Sequence, residues 1–228
     1  MVTGHTSKIA QNLLGIQKRV IDAAVRANRD PFSITIIGVT KTTDAKGVLD
    51  AFIAGLEDFG ENRIQVLEEK MAGMLNIKSR SKWHMIGTLQ KNKINRALQL
   101  FDCIHSIDSV DLAQAVNKRA EKPTEIFLEV SVSGEKSKSG CNPKDVSAIA
   151  AEVLKLPNLK LLGLMTVAPE SHVAEESRIY FKKLKELNDS LGLKFLSMGM
   201  TNDFEVAIEE GATHLRIGRA IFGEAPAA

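Results

Sequence analysis

Cysteine is scarce: only Cys103 and Cys141 occur in 228 residues. Two thiols make no disulfide framework, so both are expected to be free, in a reducing compartment. Long apolar runs are missing too, and nothing approaches the roughly 20 residues that cross a bilayer. The opening MVTGHTSKIAQNLLGIQKR has no long apolar segment and no small-residue cleavage site. A cytoplasmic chain with no membrane partner is the expectation. Charge excess is absent as well. Lys and Arg number 30 against 28 Asp and Glu, a net +2, which gives nucleic acid no electrostatic footing. There is one tyrosine, Tyr180, and no linker or low-complexity tract, so residues 1–228 read as one domain. No long exposed apolar strip demands a dimer, and a monomer is expected.

What is present is an alternation. Short β-rich apolar runs recur at Ser33–Lys41, Asp58–Asn62, Lys82–Thr88, Cys103–Asp108, Glu125–Val132, Lys160–Val167, Phe195–Thr201 and His214–Gly218. Several are nearly continuous apolar segments, as parallel strands buried on both faces require. Amphipathic stretches separate them. Asp44–Ala54 puts Val48, Leu49, Phe52 and Ile53 on one face, with Gly55 just beyond its end. Ser109 caps a helix whose Val110, Leu112, Ala113 and Val116 point inward. Asn142-Pro143 reads as an N-cap followed by proline at the first helical position. Val173–Ser190 and Asp203–Glu210 complete the pattern, stopped near Gly192 and Gly211. An additional helix over Ser7–Ala27 precedes the first strand, with Ile9, Leu13, Leu14, Ile16, Val20, Ile21, Ala24 and Val25 as its apolar set. Eight strand–helix units point to a single α/β (β/α)8 TIM barrel with an extra N-terminal helix. A doubly wound sheet would alternate similarly, but no Gly-x-Gly-x-x-Gly turn follows the first strand.

Functional groups of such barrels gather at the C-terminal ends of the strands. Strand one ends in Gly-Val-Thr-Lys41. A lysine held against an apolar strand end is expected to lose hydration, which favours the neutral, nucleophilic amine. From position alone, a solvated loop lysine is the more frequent case. Asn62 ends strand two and is equally a cap for the next helix. His84, among apolar neighbours on strand three, is more often a satisfied core group. No second His or Cys stands at metal-ligand spacing from it in sequence, so no metal site is expected. Strands seven and eight carry Ser197-Met198-Gly199-Met200-Thr201 and Arg216-Ile217-Gly218-Arg219. Phosphate sites in these barrels lie after strands seven and eight. Glycine lets the backbone approach an anion, the hydroxyls of Ser197 and Thr201 donate, and helix-start N–H groups add to the attraction. Tight turns alone would also explain the glycines.

Taken in order, GVTKT, FGENRIQ, WHMIGTLQKNK, HSIDS, SKSG, GLMTV, SMGMTNDFEVAI and LRIGRAIFG resemble the pyridoxal-phosphate homeostasis proteins, relatives of the barrel half of alanine racemase. The likeness runs from about Ile34 to Gly223. It implies pyridoxal 5′-phosphate as cofactor, held as a Schiff base on Lys41. It implies that Ser197, Gly199, Met200, Thr201, Gly218 and Arg219 surround the phosphate, several through backbone N–H, with the backbone of Arg219 mattering more than its guanidinium. Arg216 would sit at the pyridine nitrogen, and Asn62, His84 and Met165 would line the ring pocket. An always-protonated arginine only donates hydrogen bonds, so the ring would be a weak electron sink. The racemases that this family resembles take a second base, a tyrosine, from another domain. Residues 1–228 read as the barrel alone, so no such domain is expected here, and Tyr180 falls inside a helix. The expectation is therefore a carrier that serves vitamin B6 homeostasis and supplies apo-enzymes dependent on the cofactor. A low-activity racemase is the second expectation, and a cofactor-free imine aldolase the third. Lys138, in the SKSG loop, reads as a solvated loop lysine.

Overall fold

The computed structural model describes residues 7–71, 73–134 and 139–223. Eight parallel strands pair in sequence order and close into a barrel. The chain enters through α1 (Lys8–Arg26), then forms β1 (Thr35–Val39), α2 (Ala45–Ile53), β2 (Asp58–Glu61), α3 (Ile64–Met71), α4 (Leu75–Lys78) and β3 (Lys82–Met85). Next come α5 (Ile94–Leu100), β4 (Cys103–Ile107), α6 (Val110–Arg119), β5 (Thr124–Glu129), α7 (Val146–Val153) and β6 (Leu159–Met165). The last elements are α8 (Arg178–Ser190), β7 (Phe195–Ser197), α9 (Phe204–Glu209), β8 (His214–Ile217) and α10 (Arg219–Phe222). β1 closes the sheet, pairing with β2 at Ile37–Asp58 and with β8 at Thr35–His214. No helix among the described residues is long and apolar enough to cross a membrane.

All eight expected strands form, but most are shorter than the apolar runs. Their final residues, Lys41, Asn62 and Met198 to Thr201 among them, leave the ladder and build the mouth. Side chains alternate across each strand. On β3, Trp83 faces the helices while His84 faces the barrel interior. Trp83 is fully buried and stacks on Phe59 of β2 at 5.2 Å between ring centroids. The main apolar core lies between sheet and helices. A separate cluster of Cys103, Phe127, Leu162 and Met165 fills part of the interior. Both cysteines are buried and free.

The helix ends follow the expected chemistry where a polar cap is available. Ser7 Oγ accepts from Ala10 N at 3.2 Å, Asp44 Oδ1 from Gly47 N at 2.9 Å and Ser109 Oγ from Leu112 N at 3.3 Å. Three details differ from expectation. Asn142 does not cap α7. Its Oδ1 accepts from Lys144 N in a local turn, and the helix begins at Val146. The stretch before α8 is a 3-10 turn over Ala174–Ser177. The apolar faces of α1 and α2 are also wider than the surface they bury. Leu14, Ile21 and Val25 of α1 and Leu49 and Ile53 of α2 are exposed, because they lie one step round the helix from the packed stripe.

Candidate functional site

A cavity of about 590 Å³ opens at the C-terminal mouth of the barrel. Seven of the residues expected from the sequence line it: Lys41, Asn62, Met200, Thr201, Arg216, Gly218 and Arg219. They arrive on β8 itself, on the segments after β1, β2 and β7, and at the start of α10, which the closed sheet brings around one opening. The loop after β6, Val167 to Ser171, forms a wall that the sequence reading did not assign. Its signal was the Ala-Pro-Glu-Ser turn following the strand. Lys138 and Ser137 lie outside the described residues.

Four expected residues sit elsewhere. Ser197 is fully buried beneath the wall. Its Oγ lies 2.7 Å from Arg216 Nη1 and 2.8 Å from His105 Nδ1, so it does not supply a hydroxyl to the cavity. His84 is fully buried in the barrel interior between Asp58 and His105. Met165 belongs to the interior apolar cluster. Gly199 is buried, with φ of 90°. A Cβ there would come within 2.6 Å of Ala207 Cβ, so glycine is required by the close packing of α9. For Ser197, His84 and Met165, which lie on β7, β3 and β6, the strand phase turns the side chain inward. Lys41 is exposed at the rim, not desolvated as its apolar strand suggests.

Two carboxylates that the sequence reading passed over hold the site loops. Glu61 is buried, and its Oε2 accepts from Thr40 Oγ1 at 2.7 Å and from Lys70 Nζ at 2.9 Å. Lys70 Nζ also donates to Thr40 O at 2.6 Å. This clamp fixes the residue before Lys41. Glu61 Oε1 accepts from Asn62 N at 3.0 Å. Asp203 does the same work for the loop after β7. Its Oδ1 accepts from Met200 N at 2.6 Å and its Oδ2 from Ser177 Oγ at 3.1 Å.

Arg216 forms the floor. It is buried, and its Nη2 donates to Thr166 O at 2.8 Å. Burial lowers its pKa to about 10, against the opposing pull of Glu129 and Asp203, so it remains a cation at neutral pH. Burial pushes the Glu129 carboxyl up to about 7; Arg216 opposes this and Asp108 adds to it.

The interior brings His84, Cys103 and His105 together, with ligand atoms within 4.8 Å of one another. Sequence spacing does not disclose this group, because the pairing of β3 with β4 brings Cys103 and His105 beside His84. The two ring nitrogens are 2.8 Å apart, a hydrogen-bond length. On one tetrahedral zinc they would stand about 3.3 Å apart. A wider cleft of about 840 Å³ opens at the strands' N-terminal ends, beside Lys82, Asp102 and Glu125. Two of its charged groups, Lys82 and Glu125, pair with each other at 2.6 Å.

The profile of the alanine racemase N-terminal domain family matches residues 8–226. A pyridoxal phosphate homeostasis protein of Pseudomonas aeruginosa is 41% identical over 222 residues, covering 95% of this chain and 96% of that protein. One from Escherichia coli is 36% identical over 226 residues, at 94% and 96% coverage. The chain belongs to the pyridoxal phosphate homeostasis protein family. Among solved structures, PipY of Synechococcus elongatus with PLP bound is 32% identical, with a TM-score of 0.82 over 95% of this chain and all of that one. An alanine racemase of Clostridium difficile shares the fold alone, at 13% identity and a TM-score of 0.63, and this chain covers 57% of it. The closed eight-stranded barrel thus spans almost the whole length of the two homeostasis proteins.

Proposed function

We propose that this protein binds pyridoxal 5′-phosphate as a Schiff base on Lys41 and serves as a carrier that releases the cofactor to dependent apo-enzymes. The observation that carries the reading is that Lys41 and Arg216 line one cavity together with the turns after β7 and β8. The volume of about 590 Å³ falls within the usual range for a cofactor site. When bound, the cofactor supplies an aldehyde for imine exchange and a pyridine ring that can withdraw electrons.

The chain's own groups divide the work. The Lys41 amine, held by the Glu61–Lys70 clamp on Thr40, meets the aldehyde at the rim. Arg216 offers donors to the pyridine nitrogen and, being only a donor, keeps that nitrogen unprotonated. This suits capture and release better than carbanion chemistry. Backbone N–H groups at the start of α10, which lack partners within the helix, and the Thr201 hydroxyl face the phosphate position. Tyr180 packs on the outer core from α8, away from the strand ends, and offers no second base. Borohydride reduction of the protein loaded with pyridoxal phosphate, followed by peptide mapping, is expected to place the label on Lys41. Label on another lysine, or none, contradicts the assignment.

A further inference from the structure

The barrel interior holds a polar file that the proposed function does not use. Arg216 Nη1 lies 2.7 Å from Ser197 Oγ, and Ser197 Oγ lies 2.8 Å from His105 Nδ1. His105 Nε2 lies 2.8 Å from His84 Nδ1, and His84 Nε2 lies 2.9 Å from Asp58 Oδ1. The two rings and Ser197 are fully buried, and Arg216 is nearly so. Asp58 opens β2, at the end of the barrel away from Lys41, and its side chain is 26% exposed. The file therefore runs from the cavity floor to the opposite face.

Counting hydrogens gives it a direction. Arginine can only donate, so Ser197 Oγ accepts from Arg216 and has its own hydrogen for His105 Nδ1. A neutral His105 then carries its hydrogen on Nε2 and donates to His84 Nδ1. His84 in turn carries its hydrogen on Nε2 and donates to the Asp58 carboxylate. Four bonds use four hydrogens, with a cation at one end and an anion at the other. Placing hydrogens on the Nδ1 atoms instead would aim both His105 and Arg216 at Ser197 Oγ and leave the serine hydrogen displaced. Burial also disfavours the charged form of His105, and the nearby His84, His214, Arg216 and Lys82 add to that.

We propose that Asp58, acting through His84, His105 and Ser197, is a positioning residue for Arg216. It fixes both ring tautomers and thereby holds the guanidinium with its remaining donors turned to the cavity. The effect on bound cofactor rests on the reading that the pyridine nitrogen faces Arg216, whereas the tautomers do not depend on it. Coupling through a contiguous file is testable by a mutant cycle, because residues without shared contacts otherwise act additively.

Long-range 15N NMR of the histidine-labelled full chain, without cofactor, is expected to show His84 and His105 neutral and hydrogenated at Nε2. A charged ring, an Nδ1–H tautomer, or metal retained by the purified protein between His84 Nδ1 and His105 Nε2 overturns the file. With cofactor added, Asp58→Ala and Ser197→Ala are each expected to weaken retention about tenfold and to move the absorption band of the bound cofactor in the same direction. The double variant should do no more than Ser197→Ala, and Asp58→Asn, which keeps an acceptor oxygen, should lose less. Additive losses, or an unmoved band, refute the positioning role. Failure of the wild-type chain to take up cofactor would instead overturn the proposed function and leave the tautomer result to be judged separately.

Discussion

The two layers packed against this sheet differ in kind. Between strands and helices the filling is apolar, with Leu13, Phe59, Trp83, Phe181 and Phe204 fully or almost fully buried. Inside the barrel, among the described residues, Cys103, Phe127, Leu162 and Met165 form a small buried apolar cluster. Around them stand His84, His105, His214, Ser197 and Arg216, each hydrogen-bonded. The outer layer supplies stability through area removed from water, about 25 cal/mol per Å². The inner layer supplies little of that. Its paired polar groups fix orientation instead, because each buried donor or acceptor must meet a partner.

This contrast is open to direct attack. The largest loss of stability should come from the outer layer. Trp83→Ala should cost about 3–5 kcal/mol in urea unfolding while leaving the absorption band of bound cofactor in place. A shifted band would blur the division. Glu61→Ala should cost about 3 kcal/mol, because it strands the buried Lys70 ammonium, and should slow cofactor uptake by loosening Thr40. Unchanged uptake would detach the clamp from function.

The interior should dominate the pH dependence. Burial holds the His214 pKa at about 3 and that of His105 well below its ordinary value. Between about 3 and 6.5 the unfolded chain binds more protons at these sites, so stability falls as pH drops through that window. Glu129 acts with the opposite sign. Its folded pKa is raised to about 7, so the folded chain binds the extra proton between about 4.5 and 7, and stability falls as pH rises. Glu129→Gln should therefore gain about 2 kcal/mol at pH 8 and almost nothing at pH 4.5, as read by urea unfolding at both. Equal effects at the two pH values would contradict the assignment. The smallest effect on stability belongs to the rim. Lys41→Ala should change unfolding by less than about 0.5 kcal/mol, since the side chain is exposed, yet weaken cofactor retention at least about tenfold.

The same contrast explains what the sequence made legible. Strand and helix periodicities disclosed the outer layer because burial there follows regular spacing. The second strand, expected over Asp58–Asn62, is placed by the alternation more than by its own composition; it forms over Asp58–Glu61 with Gly60 and Glu61 buried. The mouth was legible through Lys41, Asn62, Met200, Thr201, Arg216, Gly218 and Arg219, which stand at or just past strand ends. The interior file was not. His84 and His105 lie 21 residues apart, and His105 and Ser197 lie 92 apart. Only the barrel's closure and register bring them into contact, and no local spacing encodes that. Glu61 and Lys70 are only 9 residues apart and meet because α3 follows β2 directly, whereas their shared partner Thr40 lies on the loop after β1.

The most direct test is a crystal structure of the full chain soaked with pyridoxal phosphate. The account predicts continuous density from Lys41 Nζ to the ligand, the ring nitrogen against Arg216, and the ester oxygens against residues 200–201 and 218–219. A ligand seated at another face of the barrel, or in this cavity with Lys41 turned to solvent, would contradict it.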